Sequence, residues 1–293
     1  MNKTSKSILI LVTLIIILCL YLINSKIIIN SFLDYSYLFI TTLFPVSFIF
    51  FIISSLLIDY GIIELINKYL HLNTTKLYVL VLSLISGFPS GAKYTKELLE
   101  KDLINSLEAN QIIMFSHFPN PLFVLGSINL ILKDNTLCLK LLISIIFSNI
   151  IIFFFNRKSS NKIITTYNYP ISFSNSLSKA ITNSFNIILL IYGTSIFFYL
   201  LTVIITKYLF INNYSYVLIN GIFDLTKGVF STTLINNIYL RAYFILFFIS
   251  FGSISIHMQI RSIISNTSIN YYYFIKGRII STIISLILFT LMY

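Results

Sequence analysis

Two interrupted apolar stretches hold most of the side chains able to do chemistry in this chain: Ser86-Gly-Phe-Pro-Ser-Gly-Ala-Lys93 and Gly221-Ile-Phe-Asp-Leu-Thr-Lys-Gly228. In the first, Gly87 and Gly91 permit backbone conformations closed to other residues, and Pro89 removes a donor and ends the helical ladder. Ser90, Gly91 and Ala92 would then open a new helix whose free amides form a ready site for an anion. Lys93 in that first turn opposes the helix dipole, so an arriving anion would offset its cost. A tight turn at the membrane surface with a snorkelling Lys93 is the plainer reading. In the second stretch, Asp224 is the lone acid after residue 134 and stands three residues before Lys227. An ionisable group inside an apolar segment is a functional candidate, because an unpaired charge at depth is costly. A structural Asp224–Lys227 pair is one outcome; capture of a coupling proton or sodium ion by Asp224 is the other.

Each stretch is followed by a second break. Ser116-His-Phe-Pro-Asn-Pro-Leu-Phe123 places His117 and Asn120 at a kink. Pro119 and Pro121 free nearby carbonyls, and Asn120 can bond a ligand or satisfy them. His117 is either a proton relay or a structural residue at the kink. Gly252-Ser-Ile-Ser-Ile-His-Met-Gln259 is the matching polar break. Its Ser253, Ser255, His257 and Gln259 step by two, so an unwound stretch would gather them where one regular helix would not. Substrate binding is therefore assigned to Ser86, Gly87, Pro89, Ser90, Gly91, Lys93 and Asn120, with Lys227, Gly252, Ser253 and Gln259. Asp224, His117 and His257 are assigned to ion coupling. No G-x-S-x-G elbow, H-E-x-x-H pair or Walker-type loop is present, so no enzyme, catalytic residue, metal or cofactor is expected. His117, His257 and Asp224 gathered in space would be the sign of a membrane enzyme instead.

The elements that position these residues follow from composition. The chain is 57% hydrophobic and 10% charged, where a soluble domain carries about 25% charged residues. That excludes a soluble enzyme, a disordered chain and a coiled coil, and leaves a polytopic membrane protein. Seven apolar runs are long enough to cross about 30 Å of hydrocarbon: Ile8–Ile23, Tyr37–Ile58, Ile112–Leu132, Thr136–Phe155, Phe185–Thr206, Tyr243–Ile264 and Ile279–Tyr293. The first has the basic start of a signal peptide but no small-x-small cleavage site, and is read as an uncleaved helix. Leu77–Pro89 and Tyr214–Phe230 are shorter, and broken backbone at membrane depth is tolerated only where it is buried or lines a cavity. The helix after Lys93 carries Glu97 and Lys101 one turn apart and is expected to lie at the surface.

Residues 1–134 hold nine cations and eight acids, while residues 135–293 hold eleven cations and one acid. Cations flanking apolar spans serve topology and anionic lipid, so the lipid bilayer is the expected partner and nucleic acid is not. Arg157, Lys158 and Lys162 place the linker 156–180 and the N-terminus in the cytoplasm. Cys19 and Cys138 lie in apolar runs and offer no disulfide framework or metal spacing.

The two interrupted stretches keep one offset: Gly221 follows Gly87 by 134 residues, the Lys is seventh counted from each of these glycines, and Phe118-Pro-Asn-Pro and Gly252-Ser-Ile-Ser share that offset. Paired, interrupted hydrophobic segments in corresponding halves point to a transporter site. The expected fold is a single all-α domain, 1–293, with about seven spans and two re-entrant or broken segments. Its parts are an N-terminal helix (1–30), a first repeat half (31–155), a basic linker (156–180) and an inverted second half (181–293).

The motif set, with Leu103-Ile-Asn-Ser-Leu-Glu-Ala109 and Asn120-Pro-Leu-Phe-Val-Leu-Gly126, resembles the YlbJ-type sporulation integral membrane proteins. These are grouped with the "Gate" or nucleoside-recognition membrane domains, whose architecture is similar to concentrative nucleoside carriers with paired re-entrant hairpins. The resemblance implies a role in endospore formation, in the outer forespore membrane, moving dipicolinic acid by alternating access, with other sporulation membrane proteins as partners. Dipicolinate is a small anionic substrate, a planar aromatic dianion that helix N-termini and two lysines would suit by charge. The family pattern has Glu where Asp224 stands and a second Gly where Ser253 stands. A nucleoside-like carrier and a non-transporting scaffold are the alternatives. Replacing Lys93 should hurt an anion carrier far more than a carrier of neutral solutes.

Overall fold

A computed structural model of the chain describes residues 3–62, 74–156, 172–209 and 212–292. All the regular structure among the described residues is helical. Asparagine and aspartate begin many of the helices, their side-chain oxygens accepting first-turn amides that have no partner inside the helix. Asn105, Asp134, Asn212, Asp224, Asn237 and Asn270 all do so.

The first part comprises α1 (Lys3–Ile23), α2 (Ser25–Leu38), a π-helical stretch (Phe39–Leu43) and α3 (Phe44–Asp59). Then come α4 (Thr74–Ser86), α5 (Ser90–Glu100), α6 (Ser106–Phe115), a second π-helical stretch (Phe123–Ile128), α7 (Asn129–Leu132) and α8 (Asn135–Phe155). The second part begins with α9 (Phe173–Tyr208) and continues with α10 (Asn213–Phe223), α11 (Leu225–Ser231), a 3-10 turn (Thr232–Leu234), α12 (Ile238–Phe251), α13 (Ile254–Ile264) and α14 (Tyr271–Leu291). From α4 to α8 and from α10 to α14 the order is the same: a broken helical pair, a second broken pair, and a helix of 21 residues. The two 21-residue helices pack side by side, with the Ser148 and Ser281 hydroxyls 2.8 Å apart.

Four helical segments are long and apolar enough to cross a membrane: Asn135–Phe155, Phe173–Tyr208, Ile238–Ile264 and Tyr271–Leu291. A fifth is counted if α1 and α2, bent by 92°, form one span. The expected span Phe185–Thr206 is the middle of a 36-residue helix, and the run Ile279–Tyr293 belongs to a helix that begins at Tyr271. Tyr37–Ile58 is interrupted by π-helical turns, and Ile112–Leu132 is opened at 116–120, where Pro119 and Pro121 interrupt the ladder. The basic cluster Arg157, Lys158 and Lys162, on which the cytoplasmic placement of 156–180 rests, lies outside the described residues.

The expectation that the helix after Lys93 lies at the surface is overturned. In α5, Ser90, Gly91, Ala92, Lys93, Tyr94, Thr95 and Leu98 are buried. Its polar face is matched by α3: the Ser55 hydroxyl donates to Glu97 at 2.6 Å, and Lys101 pairs with Asp59 rather than with Glu97. A helix with polar residues can sit inside when its neighbour supplies partners for them.

Apolar packing falls into two main regions. One large core is built from α4 to α8 and α12 to α14. A second joins Tyr35, Phe39 and Phe51 to Ile188, Ile196 and Leu200 of α9. The candidate site lies between them.

Candidate functional site

A cavity of about 200 Å³ opens where three breaks in the helical ladder face α2, α3 and α9. Ser86 and Phe88 come from the first break, Pro119 and Asn120 from the second, and Asp224 from the third. Both π-helical stretches border it, through Leu43 and through Phe123 and Ser127. Such wide turns recur at functional sites because they loosen the ladder and re-aim side chains. Tyr35, Ser47 and Ser195 close the α2, α3 and α9 side, and Ser255 and Gln259 close the α13 side. An apolar cavity of about 150 Å³ holds one benzene ring, so this volume suits a single-ring solute. Asp224 is the one charged residue lining the cavity among the described residues.

The first break is built by close packing. Gly87 has φ +76°, a conformation that favours glycine, and a Cβ there would lie 2.6 Å from the Asn120 amide nitrogen. Asn120 reaches back, its side-chain amide donating to the Ser86 carbonyl at 3.4 Å while its Oδ1 accepts the Leu122 amide at 2.8 Å. Gly91 sits against the next break, where a Cβ would meet the Ser116 carbonyl at 1.8 Å. Two of the three amides expected to await an anion are in use: Ser90 donates to the Gly87 carbonyl at 3.0 Å and Ala92 to that of Pro89 at 3.1 Å. The Ser90 hydroxyl also turns back to Gly87.

The two lysines do not meet at the cavity. Lys93 donates to the Phe51 carbonyl at 2.8 Å, with its ammonium over the Phe51 and Tyr94 rings. It lines a separate polar crevice of about 330 Å³ with Lys96, Glu97, Glu100 and Asn183. The Lys227 ammonium lies 5.3 Å from the centre of the Tyr199 ring. A carbonyl and two rings hold Lys93 and one ring face holds Lys227, and neither lines the cavity.

Asp224 is almost wholly buried, at 1% exposure. One oxygen caps α11 by accepting the Lys227 backbone amide at 2.9 Å, and the other faces the Ser255 hydroxyl at 3.4 Å. The hydrogen bond with Lys227 is thus through its backbone, and the side-chain pair, one of the two outcomes open from the sequence, does not form. Gly221 and Gly228 let α10 and α11 fold onto each other: a Cβ on Gly228 would lie 2.1 Å from the Gly221 Cα.

The fourth break is short. Gly252 has φ +84°, and α13 starts again at Ile254. Because 254–264 is regular helix, Ser255 and Gln259 share the cavity face one turn apart, and His257 points elsewhere. Ser253 supports Ser255 through a 2.7 Å hydroxyl contact, and Gln259 donates to Ser195 at 3.0 Å. His257 bonds Tyr271 at 2.7 Å, and both it and His117 pack against the Phe274 ring, with centroids 4.9 and 4.7 Å away. Neither histidine lines the cavity. Among the described residues, no three of His, Cys, Asp or Glu converge on a point that would hold a metal.

Sequence reasoning missed Arg278. It has no exposure, and its guanidinium donates to the carbonyls of Met114, His117 and Ser250 and to Asn149 Oδ1, at 2.8 to 3.2 Å. It therefore ties the second and fourth breaks to one helix, α14. Its only signal is an arginine next to an apolar run, which reads as a flank. Tyr35 and Ser195 gave no signal, being single hydroxyl residues on long helices.

No family model matches the chain, and no solved structure does. It is similar to the protein named sporulation integral membrane protein YlbJ of Bacillus subtilis (strain 168), at 33% identity over 93 residues. That match covers 29% of this chain and 23% of the relative's length. With its long apolar helices, this similarity identifies the chain as an integral membrane protein.

Proposed function

We propose that the chain is a carrier that moves a small planar solute across a membrane through the cavity between its broken segments. One observation carries this reading: breaks from both parts of the chain converge on a single partly open cavity, lined by polar groups and aromatic rings. Irregular backbone at membrane depth belongs where it lines such a volume. The repeated element order from α4 to α8 and from α10 to α14 supports an inverted repeat. In this reading seven segments cross the bilayer, the α6–α7 and α12–α13 pairs as broken spans, while α4–α5 and α10–α11 are re-entrant.

The relative's name supports a role in sporulation, and dipicolinate in the outer forespore membrane is the substrate and place we infer. The chain acts without catalysis or cofactor, alone or beside other sporulation membrane proteins. Neutral donors and acceptors around the cavity favour a second reading, a nucleoside-like solute.

The test is uptake of labelled dipicolinate by proteoliposomes holding the purified protein, beside a Ser86→Leu, Ser255→Leu variant that fills the cavity. Saturable uptake lost in the variant is expected. No uptake under proton or sodium gradients, with a folded protein, would favour a scaffold.

A further inference from the structure

The charges around the cavity do not suit a dianion. Both basic side chains expected there are engaged elsewhere, Lys93 by the Phe51 carbonyl and Lys227 by the Tyr199 ring, and the buried Arg278 is taken up by three carbonyls and Asn149. What remains is one carboxylate, hydroxyls and two side-chain amides. Two carboxylates brought together without a cation cannot both stay ionised, and such a pair holds one shared proton.

Among the described groups around Asp224 the one cation is the Lys227 ammonium, which lies over the Tyr199 ring outside the cavity lining and favours the Asp224 carboxylate itself, leaving no positive charge for a second one. From α2 and α9 the phenols Tyr35 and Tyr199 face Asp224, with Tyr216 of α10 behind Tyr199. Lys227 on α11 contributes its amide, and α13 presents uncharged Ser255 and Gln259 while His257 turns to Tyr271. On α12, Arg241 is bound to the carbonyls of Ile131 and Ile235.

Taking the cavity as the solute site, we propose that it selects by charge state. It accepts a planar solute with no net negative charge, and a dicarboxylate enters only after taking up protons from solvent, one of them shared with Asp224. The substrate class is therefore a neutral or protonated planar acid or amide, and the ionised dianion is excluded.

The full-length protein in detergent tests this by ligand-induced thermal stabilisation, each measurement referred to the ligand-free protein at the same pH. The probes are dipicolinate and its uncharged analogue pyridine-2,6-dicarboxamide, at about pH 5.5 and about pH 8. The dicarboxamide should bind equally at both. Dipicolinate should bind about tenfold or more tighter at the lower pH, where more of it carries a proton. Asp224→Asn, which keeps the helix cap, should remove most of that difference by admitting the dianion. Dipicolinate binding equally at both pH values, unchanged by Asp224→Asn, would overturn the charge rule and leave the carrier reading standing. Dicarboxamide binding without dipicolinate at either pH would keep the rule and remove dipicolinate as the substrate. Failure of both probes would overturn both.

Discussion

The break at Gly87 and the break at Asp224 occupy equivalent places in the sequence and have been put to different uses. At the first, the Ser90 and Ala92 amides, the Ser90 hydroxyl and the Lys93 ammonium all have protein partners. Its glycines are there for contact, Gly87 on Asn120 and Gly91 on Ser116. At the second, a carboxylate spends one oxygen on the helix cap and turns the other toward Ser255 and the cavity. The first break supplies shape and the second supplies charge. Equal spacing along the chain places two breaks at matching positions without giving them matching chemistry.

The sharpest way to break this comparison is Gly91→Ala. The new methyl would meet backbone, the Ser116 carbonyl at 1.8 Å, so no side chain can swing aside. Overpacking of this kind costs about 3 kcal/mol or more, and folded protein should largely disappear from size-exclusion profiles. Gly126→Ala, where nothing lies within 4 Å, is the control and should be neutral.

Arg278→Met comes next. It removes the donors from three buried carbonyls and Asn149. An unsatisfied buried acceptor costs about 1–3 kcal/mol, so thermal unfolding in detergent should fall clearly while some folded protein survives. At Asp224 the effect on stability is smaller. Asp224→Ala should lose about 1 kcal/mol with the cap, and Asp224→Asn should lose little because asparagine caps equally well. A large loss with Asn would mean the charge itself holds the fold, and the contrast between the two breaks would fail.

The smallest effect is expected from the lysines. Lys93→Gln with Lys227→Gln should leave solute binding within about twofold, since both ammonium groups are satisfied away from the cavity by a carbonyl and ring faces. A loss of about tenfold or more would put an anion at the lysines.

Much of this site was legible in the sequence because backbone breakers in apolar runs are rare and strong signals. Gly87, Pro89, Pro119, Asp224 and Gly252 marked the breaks, and Ser86, Asn120, Asp224 and Gln259 reach the cavity. What failed was direction. Spacing says that Lys93 opens a helix, but not that Phe51 offers it a carbonyl. Polarity placed α5 outside, because the matching hydroxyl and acid lie on α3, with Ser55–Glu97 and Asp59–Lys101 each separated by 42 positions. The i, i+2 steps after Gly252 suggested unwinding, whereas the helix resumes within two residues and divides Ser255 and Gln259 from His257. Arg278 was hidden because hydropathy treats an arginine near the end of an apolar run as its edge.

That arginine has a mechanical consequence. One guanidinium grips carbonyls beside the 116–120 break and, at Ser250, the end of α12. These two places cannot separate from each other or from α14 without releasing several hydrogen bonds at once. In the proposed carrier, a rocking motion would make the block that Arg278 rivets together the stator. The rotor is then the other wall of the cavity, α2, α3 and α9, which shares its own apolar cluster apart from that block. The seam between the two is crossed by a neutral hydrogen bond from Gln259 to Ser195 and, between α5 and α3, by the Ser55–Glu97, Asp59–Lys101 and Lys93–Phe51 contacts.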